Sequence, residues 1–220
     1  MSKIELHQID SEDIEDIIIR LEESFGTTFP NDAFKDVQTF GELITAIENN
    51  LTAEHSESCT SQQAFYRIRR ALEQMDLEHE IKPSLQLASI FPKNNRRSTV
   101  RKFIEYLEID IKLLEPHGFV LAANLVGLLI GIILLFTNTF IGLATTALAI
   151  ISLRLITKYG TQLRVKNIRE LSELLMNEKY RKTRSTPTIN RNEIWNIVAS
   201  YLKPYELTEL KADSKFEWAK

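Results

Sequence analysis

The sequence predicts an all-α protein in which soluble helices flank a two-helix transmembrane hairpin. Three observations carry that expectation. From Phe119 to Ile156 the chain reads FVLAANLVGLLIGIILLF, then TNT, then FIGLATTALAIISLRLI, with no acid, Lys or Arg before Arg154. Toward both ends of the chain, apolar residues recur at helical spacing, as in Ile14, Ile17, Ile18, Leu21 and Phe25. Capping residues stand where such stripes begin, at Ser11, Thr39 and Asn190.

Each apolar arm has 17–18 residues. At ~1.5 Å per residue that is roughly 26 Å, enough to cross a hydrocarbon core. In lipid the backbone must satisfy its own hydrogen bonds, so each arm is expected to be helical. Thr137-Asn138-Thr139 is a short polar break, which predicts an antiparallel pair. Gly127 and Gly131 are spaced as GxxxG, and Gly142, Ala144 and Ala147 put small residues on the second arm. Small residues let helices approach closely where no hydrophobic drive separates them from lipid. Asn124 is the strongly polar side chain within the first arm. It is expected to bond across the hairpin, to mark a functional site, or to sit at the lipid interface. The alternative to a membrane hairpin is a buried hairpin in a soluble domain. Two arms this apolar differ from the amphipathic helices of an ordinary core.

Basic residues flank the hairpin on both sides: Arg96, Arg97, Arg101, Lys102 and Lys112 before it, and Arg154, Lys158, Arg164, Lys166 and Arg169 after it. The connection is uncharged. The positive-inside rule then predicts an inner (plasma) membrane protein with both termini in the cytoplasm. The lipid bilayer is its first expected partner.

The chain has 220 residues and a formal net charge of −3, which hides an asymmetry. Residues 1–59 carry fourteen acids against Lys3, Arg20 and Lys35, whereas the remainder is net positive. An acidic head suits basic partners, and a basic body beside a bilayer suits anionic lipid. A single cysteine, Cys59, excludes an internal disulfide and a multi-cysteine metal site. His7, His55, His79 and His117 lie far apart, with no metal-ligand spacing. The opening MSKIELHQIDSEDIED has no apolar signal-peptide core.

In chain order, Ser11 is expected to cap a helix that Gly26 ends, with acids in its first turn. Pro30–Val37 suits one short helical turn. Thr39 and Glu42 fit a capping box ahead of Leu43, Ile44 and Ile47. Together these make an expected helical unit over 1–55. A basic helical segment follows over 60–117. Within it, one helix runs from Thr60 to about Met75, with Phe65, Ile68, Leu72 and Met75 inward. Pro83 and Pro92 bracket a short element, and a helix capped by Ser98 runs from Thr99 to about Leu114. The hairpin occupies 118–157, an amphipathic helix 158–182, and a polar linker 183–189. In the last segment, 190–220, Asn190 and Glu193 fit a second capping box. Ile194, Ile197, Val198 and Leu202 form its apolar stripe.

The stretch LEESFGTTFPNDAFKDVQTFGELITAIEN resembles the second half of an acyl carrier protein. That family runs an acidic helix, a Phe, a loop with Pro, a short third helix and a Thr-initiated fourth helix. The resemblance covers roughly 40 residues and places Asp10-Ser11 where the family has Asp-Ser-Leu. It implies that Ser11, next to Asp10, is the candidate attachment site for 4′-phosphopantetheine. Here the third residue is Glu12. Only nine residues precede Asp10, too few for the family's first helix. Asn190–Phe216, ending in Asp213-Ser214-Lys215-Phe216, is similar to that helix and the loop after it. The resemblance therefore implies an acyl-carrier-like bundle formed from both termini, as if circularly permuted around the hairpin. Pairing of the ends is expected within one chain or, by end swapping, between the copies of a homo-oligomer.

The sequence holds no GxxxxGK[ST], GxGxxG or HExxH, and its basic stretches lack the interleaved aromatics of a single-strand binder. Neither an enzyme nor a nucleic-acid partner is expected. The functional expectation is a membrane-anchored acyl-carrier-like protein that presents an acyl group or a docking surface to acyl-transfer or synthase enzymes of lipid or polyketide metabolism. Asp10-Ser11 in register favours the carrier. Glu12 favours an unmodified adaptor of the same fold. A membrane hairpin protein whose ends do not pair is the third alternative.

Overall fold

The computed structural model of the chain describes residues 5–6, 11–51, 53–76, 80–203 and 210–216. Among them the structure is helical, with three two-stranded pairings of two residues per strand. It divides into two compact units: Met1–Glu73 with Arg169–Lys220, and Gln74–Ile168.

The first unit brings the two ends of the chain into one core. Helix α1 (Ser11–Phe25) buries Ile14, Ile17, Leu21 and Phe25. It stops where Gly26 turns left-handed (φ 63°), and the Thr27 N–H bonds back to Glu22 O at 3.1 Å. That 6→1 bond is the Schellman stop that glycine permits without a Cβ clash. The short helix expected at 30–37 is instead a series of i→i+3 turns, closed by Ala33, Lys35 and Val37 N–H groups. Helix α2 (Phe40–Asn50) starts with the reciprocal Thr39–Glu42 capping box and buries Phe40, Leu43, Ile44 and Ile47. Helix α3 (Thr60–Glu73) turns Ala64, Ile68, Ala71 and Leu72 inward. Phe65 and Met75, expected inside, are half-buried.

Helix α10 (Arg191–Leu202) supplies Ile194, Ile197, Val198 and Leu202 to the core that holds the α1 and α2 residues, with Phe216 joining them. Phe40 meets Trp195 edge to face at 4.5 Å between ring centroids. Burying a large apolar side chain contributes about 1.5–3 kcal/mol, so the four buried apolar residues of α10 add substantially to this core. The chain ends also pair as strands. Strand β1 (Glu5–Leu6) runs parallel to β6 (Lys215–Phe216). Phe40 N–H bonds to Ser214 O at 2.9 Å and Phe216 N–H to Gln38 O at 3.0 Å.

Two expected boundaries change. The stretch 158–182 is not one helix: β4 (Gln162–Leu163) pairs antiparallel with β3 (Leu114–Glu115), and helix α8 runs from Ile168 to Glu178. The expected linker at 183–189 is packed. Helix α9 (Tyr180–Thr183) leads into a buried Arg184, and β5 (Thr188–Ile189) pairs parallel with β2 (Glu54–His55).

In the second unit Phe91, Val100, Phe103, Leu107, Ile111 and Leu113 are buried, with the Phe91 and Phe103 ring centroids 5.5 Å apart. Helix α4 (Leu87–Ile90) is the short element between the prolines. Helix α5 (Arg96–Leu107) starts earlier than its expected Ser98 cap and ends sooner, at a left-handed Glu108 (φ 57°). The buried Arg96 explains the early start. Its guanidinium donates to Phe91 O at 2.8 Å and Thr161 O at 2.9 Å, fastening the helix to the loop after the hairpin. Helices α6 (Gly118–Leu135) and α7 (Thr139–Lys158) are long and apolar enough to span a membrane.

Candidate functional site

Ser11 is the first residue of α1, and Asp10 lies outside the described residues. With 3.6 residues per turn, the outer stripe of α1 collects Glu12, Glu15, Asp16, Ile19 and Glu23, all exposed. Ile19 is 54% exposed among these acids. The result is an apolar centre with a carboxylate rim, a surface suited to a partner with a basic rim around an apolar contact. Beside α2, a groove of about 550 Å³ adds Asp32, Asp36 and Glu42. Glu42 is held below its usual carboxylate range by the Gln38 and Thr39 backbone N–H groups, which donate to it at 2.7 and 3.0 Å.

The most elaborate polar arrangement is one that sequence reasoning missed. Glu193 does not close the expected capping box. Asn190 caps α10 alone, accepting from the N–H groups of Asn192 and Glu193. The Glu193 carboxylate instead turns inward. It accepts from Thr60 N–H at 2.6 Å, from the Tyr180 hydroxyl at 3.0 Å and from Arg184 Nη1 at 2.8 Å. The Asn190 N–H, which a capping glutamate would satisfy, donates to the Tyr180 hydroxyl at 3.0 Å. Arg184 also reaches Ser58 and Thr188 at 2.6 and 2.8 Å through Nη2. All four of Thr60, Tyr180, Arg184 and Glu193 are buried. With its donors and acceptors satisfied by protein, the cluster is a clasp joining α3, α9 and α10 rather than a reactive centre. Nothing local betrays it, because 133 residues separate Thr60 from Glu193.

In the hairpin, Asn124 Nδ2 donates to Ser152 Oγ, so Asn124 does bond across to the second arm. Of the GxxxG pair, only Gly131 lies in the contact: a Cβ there would stand 2.9 Å from Thr146 N, whereas at Gly127 it would meet nothing within 4 Å. Gly142 lies against Leu134 and Leu135 of α6 in the same way. Gly131 is the one buried residue of α6, and Gly142 and Ala149 are the buried residues of α7. Most of the remaining surface is aliphatic and aromatic, with Phe119, Phe136 and Phe140 each more than 80% exposed.

No protein-family description, curated protein or solved structure matches the chain. Among the described residues no group of three His, Cys, Asp or Glu side chains could hold a metal ion, and Cys59 is an exposed free thiol.

Proposed function

We propose that the chain is a membrane-anchored acyl-carrier-like protein that offers the acidic face of α1 to acyl-transfer or synthase enzymes on the cytoplasmic side of the inner membrane. The observation that carries this reading is the shared core of α1, α2 and α10. A carrier bundle permuted around the hairpin requires the C-terminal helix to complete the N-terminal ones, and Ile194, Ile197 and Val198 lie in one core with Ile14, Ile17 and Leu21. The hairpin supports the anchor. Helices so apolar, with few of their residues buried, have a strong drive to leave water. Two passes return the chain to the side it left, so both fragments share a compartment.

Ser11 is the residue that would carry 4′-phosphopantetheine. It opens a helix of 15 residues, where the helix dipole favours a phosphodiester. When attached, the arm supplies a thiol that holds an acyl group as a thioester. The chain's own residues do the docking: the acids of α1 steer a basic partner, and Ile19 gives the contact an apolar centre. Intact-mass measurement after incubation with coenzyme A and a broad-range phosphopantetheinyl transferase tests this. A single added phosphopantetheine, absent from Ser11→Ala, is the expected result. Glu12 favours a second reading, an unmodified adaptor using the same face. A bare chain in that experiment selects the adaptor.

A further inference from the structure

We propose that the hairpin end remote from the Thr137–Asn138 connection binds an anionic phospholipid through its phosphate. The inference rests on the reading that α6 and α7 enter a bilayer. Two clefts of the second unit meet there. One, of about 440 Å³, is lined by Arg97 and Arg101 of α5, by Lys112, and by Lys158 at the end of α7. All four are exposed, and no carboxylate pairs with any of them among the described residues. Glu105 and Asp110 also line this cleft, so its four cations stand against two acids.

The second cleft, of about 320 Å³, is walled by Val120, Leu155, Ile156 and Tyr159. Gly160 lines both clefts, so the cationic one and the apolar one adjoin. Arg97 marks the junction, its guanidinium 4.6 Å from the centroid of the Tyr159 ring. Stacking fixes the plane of the guanidinium and leaves its N–H fork free for a phosphate.

A charged cleft joined to an apolar one matches an amphiphile. The position also fits. Helix α6 begins at Gly118 and α7 ends at Lys158, so the junction lies where hydrocarbon would give way to headgroups. Basic pockets at the cytoplasmic ends of membrane helices suit phosphate headgroups. Inorganic phosphate would meet the cations but leave the apolar cleft empty, whereas a phospholipid would use both.

The test uses the full chain in neutral detergent, titrated with dioctanoyl phosphatidic acid, dioctanoyl phosphatidylcholine or inorganic phosphate. Phosphatidic acid is expected to saturate at one per chain and to bind at least about tenfold more tightly than either of the others. Arg97→Gln with Arg101→Gln, and separately Lys112→Gln with Lys158→Gln, should each weaken it about tenfold. Lys35→Gln with Arg70→Gln, in the other unit, should leave it unchanged. Equal affinity for the two lipids, or undiminished binding by both cleft variants, overturns the inference. Equal affinity for inorganic phosphate overturns the lipid as occupant. Flotation with phosphatidylcholine vesicles separates the two readings. A chain that floats without preferring phosphatidic acid sinks this inference alone, and one that never floats sinks the bilayer reading with it.

Discussion

Arg184 Nη1 donates to Glu193 Oε2 at 2.8 Å, with both residues buried in the unit that the two chain ends build. Removing one partner of a buried pair leaves the other charge without compensation. Arg184→Ala is therefore expected to lower stability by about 3–5 kcal/mol. Arg184→Lys should not restore it, because one ammonium cannot reach Ser58, Thr188 and Glu193 together. Urea unfolding followed by tryptophan fluorescence reads this unit through Trp195, which packs against its core. Wild-type midpoints for both variants would refute a stabilising clasp.

Tyr180 gives the clasp a pH limit. Burial first, and the Glu193 carboxylate second, push its phenol up to about 12 from its ordinary value of 10.0. A group with a raised folded-state pKa contributes stability that is fully present below its unfolded value. That stability is lost as pH rises through the folded one. The loss attributable to Tyr180 should fall between about pH 10 and 12. Tyr180→Phe should flatten this part of the profile. At neutral pH the variant should still cost about 1–3 kcal/mol, because the Asn190 N–H loses its acceptor. Identical alkaline slopes in the two proteins would contradict the assignment.

The capping box at α2 predicts the opposite limb. Glu42 is held below its ordinary range, so its contribution is present above the unfolded carboxylate pKa. It disappears as pH falls through the lower folded value. Glu42→Gln should remove part of the acid sensitivity seen in stability measured from pH 6 downward. Thr39→Ala, which deletes the hydroxyl accepting from Glu42 N–H, should cost about 0.5–2 kcal/mol at neutral pH.

Helix contact in the hairpin separates two glycines that look equivalent in sequence. Disulfide formation between Asn124→Cys and Ser152→Cys, in a Cys59→Ser background, reports the packing of the arms. Gly131→Leu should suppress that crosslink, since its side chain would drive into Thr146. Gly127→Leu, facing open space, should leave it intact. Equal crosslinking in both would show that the arms do not meet at Gly131.

Local chemistry was readable where partners lie within a helical turn or two. The Thr39–Glu42 box, the Gly26 stop, the apolar stripes of α1 and α10, and the apolar arms all depend on neighbours a few residues away. What was not legible depends on distant partners. Glu193 has the right spacing from Asn190 for a cap, but Thr60 and Arg184 offer it a stronger, buried set of donors. The run around Arg184 is polar enough to read as a linker until its side chain is seen between Ser58 and Glu193. Gly127 satisfies the GxxxG spacing, yet the crossing of the arms selects Gly131. At the candidate attachment site the sequence supplies Ser11 and the start of its helix, while Asp10 lies outside the described residues.

The pairing of Glu5–Leu6 with Lys215–Phe216 has a consequence for biosynthesis. A ribosome makes the chain from one end, so α1 and α2 emerge long before the α10 residues that cover them. Until then their aliphatic stripes have no final partner, and closure of this unit depends on contacts of very high sequence separation. The hairpin has no such delay. Both of its arms, with their short connection, are complete by Lys158, some thirty residues before α10 begins at Arg191. Translation therefore delivers the most apolar segment as a finished local structure while the first unit still waits for α10 to complete its core.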